Sequence, residues 1–221
     1  MDFRKLHKLK TPEKIQDFLN KLPFNFEEKG ETYMSPKRAL EAGKVHCFEG
    51  ALIAALALEM HGHKPLLLDL KTTKGKDIDH VVALFREKKD PPAGGWGAIS
   101  KTNHAVLRYR EPIYKTIREL ALSYFHEYFL NNGEKTLRSF SKPFDLSKVK
   151  MDPTKDGASW RNSDKNLFKL VEILDKSPHT QILSKTQIKN LRRADKIEIK
   201  AGEIVDHRSK RDPAKGGGYK K

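Results

Sequence analysis

The sequence predicts an α+β protein in which one buried helix packs on a small antiparallel sheet. The helix is predicted within the stretch 43–62, starting at Cys47, because the segment from Phe48 to Leu58 is apolar almost all round and such a segment is typical of a helix inside a domain. The sheet is predicted by three short apolar runs, namely 65–70, 80–85 and 96–100. The last two runs predict a hairpin, since a segment rich in proline and glycine separates them.

The composition bounds the class of protein. With 221 residues, of which 37% are hydrophobic, the chain can bury one sizeable core. A single cysteine excludes an internal disulfide and favours a reducing compartment. The first residues lack the apolar core of a signal peptide, and no uncharged stretch approaches the ~20 residues that span a bilayer. We therefore expect a cytoplasmic protein with no membrane span.

Two cap signals precede the central helix. Thr11-Pro12 and Ser35-Pro36 each place a helix-capping side chain before a proline at the first helical position. They predict a short amphipathic helix over residues 11–22 and a second short helix that ends near Gly43.

The chain that follows the sheet has weaker signals. Residues 104–109 are expected to add one more strand, and residues 112–130 have the apolar spacing of a long amphipathic helix. The segment 134–164 is rich in polar and turn residues and is expected to be irregular. Apolar residues at helical spacing over 167–174 predict one more helix.

Positive charge is concentrated at the C-terminus. The chain carries a net charge of +15, and residues 185–221 alone hold twelve Lys or Arg against five Asp or Glu. Such a tail is expected to be partly disordered and to attract polyanions such as nucleic acid. We therefore expect four parts in the chain, which are an N-terminal helix and connection (1–34), a core (35–133), an irregular and helical extension (134–184) and the basic tail (185–221).

Chemistry is suggested by a cysteine at the head of the buried helix. The unpaired N–H groups and the positive dipole end of a helix favour a thiolate at Cys47. His80 opens a later strand, and polar residues from Ser100 to Asn103 close the next one. Together they supply a nucleophile, a base and a group that orients the base. The alternative is that Cys47 is a small buried apolar side chain with no chemistry.

These residues and their order resemble the transglutaminase-like superfamily, a papain-related group. The matching segments are Ser35-Pro36, Gly43 to Cys47, Gly62 to Leu68, Asp79 to Phe85 and Trp96 to Ser100. The resemblance covers roughly residues 35 to 110 and implies an α+β papain-like fold. It also implies cysteine-dependent acyl-transfer chemistry, namely peptide hydrolysis, deamidation, amide cross-linking or, as in a relative, acetyl transfer. No cofactor is expected, and no metal either, because one cysteine and scattered histidines do not have the spacing of the usual zinc sites.

The chain departs from this family at the third catalytic position. Where the family usually places Asp, this sequence has Ser100, and Asn103 follows three residues later. Asn103 is the first choice as the residue that orients His80, and Ser100 is the positional match. Neither is charged, so each would stabilise an imidazolium less than a carboxylate does. His46 and Trp96 are predicted to line the substrate site.

The sequence therefore predicts a thiol hydrolase or acyltransferase that acts on a protein or amide substrate through Cys47, His80 and either Asn103 or Ser100. The competing hypothesis is a catalytically weak or inactive papain-like domain. Such a domain would bind an acidic partner or nucleic acid through its basic surface and tail.

Overall fold

The computed structural model describes residues 3–87, 94–151 and 159–207. This part of the chain forms a mixed α+β structure in which one antiparallel sheet of seven strands is accompanied by eight α-helices. No helix in the described ranges is long and apolar enough to cross a membrane.

The bounds of the elements follow the chain. The helices are α1 (Arg4–His7), α2 (Pro12–Lys21), α3 (Pro36–Ala42), α4 (Cys47–Met60), α5 (Ile117–Ser123), α6 (Phe168–Asp175), α7 (Lys185–Lys189) and α8 (Lys196–Gly202). The strands are β1 (Leu66–Thr72), β2 (His80–Arg86), β3 (Trp96–Ile99), β4 (Arg110–Tyr114), β5 (Leu137–Ser141), β6 (Phe144–Asp145) and β7 (His179–Gln181).

The sheet is ordered β4-β3-β2-β1-β5-β7, and β6 also pairs with β1. The predicted hairpin is confirmed, since β2 and β3 pair antiparallel with Ala83 opposite Ile99. The middle of its turn, residues 88–93, lies outside the described residues. Strands β5 and β7 extend the sheet with segments from beyond residue 133.

Both faces of the sheet are covered, which explains why its central strands are apolar without alternation. One hydrophobic cluster joins α4 to Leu67, Ala83 and Ile99 of the sheet. The other cluster contains Leu68 and Leu84 from the same strands and packs under α5 and the 3-10 turn that follows it.

Helix α4 is the centre of the first cluster. The segment from Phe48 to Leu58 is buried on every side, as predicted, and it contacts α1, α2 and α3 as well as β1 and β2. The two predicted short helices are also confirmed as α2 and α3. Thr11 and Ser35 cap their N-termini, and α3 ends at Gly43, whose φ of 65° is the left-handed conformation that glycine tolerates best. The helix predicted over 167–174 is confirmed as α6.

Two predictions about residues 104–130 are wrong. Residues 104–109 form no strand, and the long helix over 112–130 is replaced by β4, α5 and a 3-10 turn at Phe125–Glu127. Pro112 lies in a strand at the end of the sheet order, where a missing N–H is tolerated. The new helix begins at Thr116, whose side chain forms a capping box with Glu119.

One prediction about the C-terminal part is corrected as well. The segment expected to be irregular contains β5 and β6, because Leu137 and Phe140 pack into the second cluster. The first part of the basic tail forms α7 and α8, each of which begins with a capping box. The end of the tail, residues 211–221, for which disorder was expected, lies outside the described residues.

Candidate active site

Cys47 is the first residue of α4 and is partly exposed. The chain just before it is fixed by main-chain hydrogen bonds in which Val45 donates to Pro23 and Asn25 donates to Val45. His46 is the N-cap residue, and its ring Nδ1 accepts a hydrogen bond from Phe48 at 3.3 Å. The thiol is therefore held at the N-terminus of a buried helix, where the dipole favours the thiolate.

His80 begins β2 and is buried. Its Nε2 lies 2.7 Å from the hydroxyl oxygen of Ser100, and the same hydroxyl lies 2.6 Å from the carbonyl oxygen of Leu107. A carbonyl can only accept, so the single Ser100 proton is donated to Leu107 and the Ser100 oxygen accepts from His80. The Nε2 of His80 therefore carries a proton, which leaves the lone pair of Nδ1 to accept one.

The position of Ser100 is fixed by its main chain. The side-chain amide of Gln16 on α2 accepts from the Ser100 N–H at 2.9 Å and donates to the Ser100 carbonyl at 2.8 Å. Next to it, the buried Lys101 donates to the carbonyls of Leu19 and Leu22 at the end of α2. Sequence reasoning missed Gln16, because a polar residue on an amphipathic helix gives no sign of a partner 84 residues away.

Lys101 passes very close to α4. A Cβ at Gly50 would lie 2.5 Å from the Lys101 Cβ, so only glycine permits this approach. Burial lowers the pKa of the Lys101 amine to about 8. The contact brings the segment that contains Ser100 against the first turn of the helix that contains Cys47.

Asn103, the first choice as the group that orients His80, makes other contacts. Its side-chain amide donates to the His207 carbonyl and accepts from the His207 N–H, both at 2.9 Å. Asp206 also donates to the Asn103 carbonyl. The described structure therefore places Ser100, and not Asn103, against the His80 ring. Asn103 instead forms hydrogen bonds with the segment that follows α8.

Trp96, predicted to line the site, lies at the opposite end of β3 from Ser100. Ser100 follows Trp96 by four positions of extended chain, which span roughly 13 Å. The indole ring stacks with the guanidinium of Arg86, 5.5 Å from the ring centroid, and packs against the second hydrophobic cluster.

His46 is buried beside the sulfur and does not simply line a cleft. Its Nδ1 lies 4.0 Å from the Cys47 sulfur, and its Nε2 lies 2.7 Å from the Thr32 carbonyl oxygen. Carboxylate oxygens of Glu49 and Glu27 lie 3.5 and 3.7 Å from the same Nε2. The thiol therefore has a second histidine next to it, and two carboxylates lie close to the far ring nitrogen of that histidine.

Glu49 is the fully buried member of this group. One carboxylate oxygen accepts from the Thr32 hydroxyl and the Met34 N–H, and the other accepts from the Asn25 amide and the His46 N–H. The spacing of three residues from His46 to Glu49 is that of a capping box, which is the signal that could have identified this residue from the sequence.

Two histidines perturb the ionisation of the thiol. Burial alone would raise the pKa of Cys47, but hydrogen bonds to His46 and His80, together with the charges of the two rings, lower it to about 5. Burial would lower the pKa of His46, but its hydrogen bond to Cys47 and the charges of Cys47, Glu49 and Glu27 raise it to about 9. Between these values a thiolate paired with an imidazolium is the favoured state.

Among the described residues, no group of three or more His, Cys, Asp or Glu side chains is arranged to hold a metal ion. The chemistry that the arrangement itself supports is nucleophilic attack by a thiolate, with imidazole as the proton carrier. No known protein-family model matches the chain, and a search of curated proteins also gave no match.

Proposed function

We propose that this protein is a cysteine-dependent acyl-transfer enzyme of transglutaminase-like type, acting as an amide or peptide hydrolase, a deamidase or a transferase. The observation that carries the proposal is the hydrogen bond of 2.7 Å that holds His80 Nε2 on the Ser100 hydroxyl. It is joined by the interaction of Cys47 with His80 and His46, which lowers the pKa of the thiol to about 5.

Each residue has a defined role in the proposed reaction. Cys47 attacks the substrate carbonyl as a thiolate and forms a thioester. As the thioester forms, the Cys47 proton passes through Nδ1 of His80 to the leaving group. The same nitrogen then takes a proton from the acyl acceptor, while Ser100 holds Nε2–H. The N–H of Cys47 contributes to the oxyanion hole, because the first N–H groups of a helix have no partner within the helix.

The neutral orienting group distinguishes this site from one that uses a carboxylate. Ser100 fixes the tautomer and direction of the His80 ring but adds no negative charge beside it. A papain-like arrangement is supported by the order of the elements, in which a buried cysteine helix precedes an antiparallel hairpin that carries the histidine and the orienting residue.

Acylation of the single cysteine tests the proposal. The protein is mixed with an activated ester such as p-nitrophenyl acetate, and intact mass spectrometry follows the addition of one acetyl group. We expect rapid acylation at Cys47, none in Cys47→Ser, and slow acylation in His80→Ala. His61→Ala is the matched control, since His61 ends the same helix about 20 Å from Cys47 and should leave the rate unchanged. Equal rates in wild type and His80→Ala would reject the proposal and favour the catalytically inactive binding domain.

A further inference from the structure

The cluster formed by His46, Glu49 and Glu27 has no role in the reaction as described above. Its members come from two parts of the chain: His46 and Glu49 begin α4, and Glu27 belongs to the connection between α2 and α3. His46 and Glu49 are buried and Glu27 is partly exposed, and the Nδ1 of His46 lies 4.0 Å from the reacting sulfur.

We propose that His46 is a second catalytic histidine, whose imidazolium acts together with His80 to keep Cys47 in its thiolate form in the free protein. This inference rests on the proposed acyl-transfer function and deepens it. The proton leaves the Cys47 sulfur, the electron pair of the S–H bond stays on sulfur, and an N–H bond forms at His46 Nδ1. When the thioester forms, this proton reaches the leaving group through Nδ1 of His80, and the same Nδ1 lone pair then takes a proton from the acyl acceptor.

The hydrogen bonds around the ring identify where the protons sit. His46 Nε2 lies 2.7 Å from the carbonyl oxygen of Thr32, which can only accept, so Nε2 carries a proton in every state. The second proton must therefore occupy Nδ1, the nitrogen that faces Cys47. The two carboxylates lie on the Nε2 side of the ring, where they stabilise its positive charge.

Protonation of Nδ1 removes one helix-capping contact, and the geometry shows that little is lost. The hydrogen bond from Phe48 to Nδ1 is 3.3 Å long, beyond the usual range for a strong N–H donor. A thiolate at Cys47 is itself a charged acceptor at the N-terminus of the same helix, where orphan N–H groups are present.

The titratable groups that face His46 come from every element packed against it. Glu27 and Tyr33 lie in the connection before α3, and Cys47 and Glu49 lie on α4. Burial raises the pKa of the Tyr33 phenol to about 12, so Tyr33 adds no negative charge near neutral pH. His80 reaches the same sulfur from β2.

The pH window of the pair follows from the signs of the two shifts. Because the pKa of Cys47 is lowered to about 5, the thiolate is protonated and the ion pair is lost as pH falls through about 5. Because the pKa of His46 is raised to about 9, the imidazolium loses its proton and the ion pair is lost as pH rises through about 9. The paired state should therefore be present across the neutral range.

The test compares His46→Asn with wild type. Asparagine is among the best N-cap residues, so it keeps the capping function but cannot carry a positive charge. The rate of iodoacetamide alkylation and the ultraviolet absorbance of the thiolate are measured against pH. We expect the midpoint of thiolate formation to rise by roughly one to two pH units in His46→Asn.

Glu27→Gln is a second variant that keeps the buried Glu49 intact, and it should raise the midpoint by a smaller amount. A midpoint equal to that of wild type in His46→Asn would show that His46 is only a helix cap and would overturn the inference. If His46→Asn does not fold, an unchanged midpoint in Glu27→Gln would overturn it instead.

Failure of this inference can be told apart from failure of the proposed function. If Cys47 is acylated by p-nitrophenyl acetate and His80→Ala slows the reaction while His46→Asn keeps the wild-type midpoint, the function stands and the role of His46 does not. If wild type is not acylated at all, the proposed function fails whatever the pH profile shows.

Discussion

The substitution Glu49→Gln preserves the size of a fully buried side chain and removes half of its accepting capacity. Each Glu49 oxygen accepts two hydrogen bonds, one pair from Thr32 and Met34 and the other from Asn25 and His46. A glutamine has one oxygen and one NH2 group in these positions. Whichever way the amide turns, its NH2 group faces two donors.

The cost can be worked from this geometry. A hydrogen bond to a charged group contributes about 1.5–3 kcal/mol, and two of the four bonds are lost, so the free energy of unfolding should fall by about 3–6 kcal/mol. The connection over residues 25–34 should loosen first, because Asn25, Thr32 and Met34 all depend on this carboxylate.

Urea unfolding monitored by circular dichroism measures the change. Glu59→Gln is the matched control on the same helix, where Glu59 pairs with Arg161 at the partly exposed surface. Such a pair contributes about 1 kcal/mol or less. If the two substitutions lower the free energy of unfolding by the same small amount, Glu49 does not organise the site and the reasoning is refuted.

Three further predictions concern the site and the tail. Ser100→Ala leaves His80 Nε2–H without its acceptor and should slow Cys47 acylation on the order of 100-fold, whereas Ser100→Thr should retain activity; equal acylation rates would contradict the role of the hydroxyl. Gly50→Ala forces a Cβ against Lys101 and should lower the free energy of unfolding by about 1–3 kcal/mol in urea titration. Removal of 208–221 should weaken retention on heparin most at low salt, and unchanged elution would contradict it.

The buried helix and the hairpin were predictable because their signals are local. An apolar stretch without a polar face indicates a helix surrounded by protein, and Thr11 and Ser35 mark helix starts by their own side-chain chemistry. The helix predicted over 112–130 failed because apolar spacing continues across β4, α5 and the 3-10 turn, while the capping box at Thr116 divides them.

The places of Cys47 at the start of a helix and of His80 at the start of a strand were predictable from the sequence, and the contacts that surround them were not. The choice between Ser100 and Asn103 could not be made from the sequence, since it depends on Gln16, which fixes the Ser100 main chain, and on His207, which engages Asn103. These contacts join distant segments and leave no local pattern.

The alkylation rate of Cys47 as a function of pH, measured in wild type and His80→Ala, tests the central claim most directly. We predict a wild-type midpoint at about 5, with rapid labelling at neutral pH and a slower rate in His80→Ala. A midpoint near the ~8.5 of an ordinary thiol, with equal rates in both proteins, would contradict the account. Labelling that begins only when the protein is unfolded would equally show that Cys47 is a structural residue and not a nucleophile.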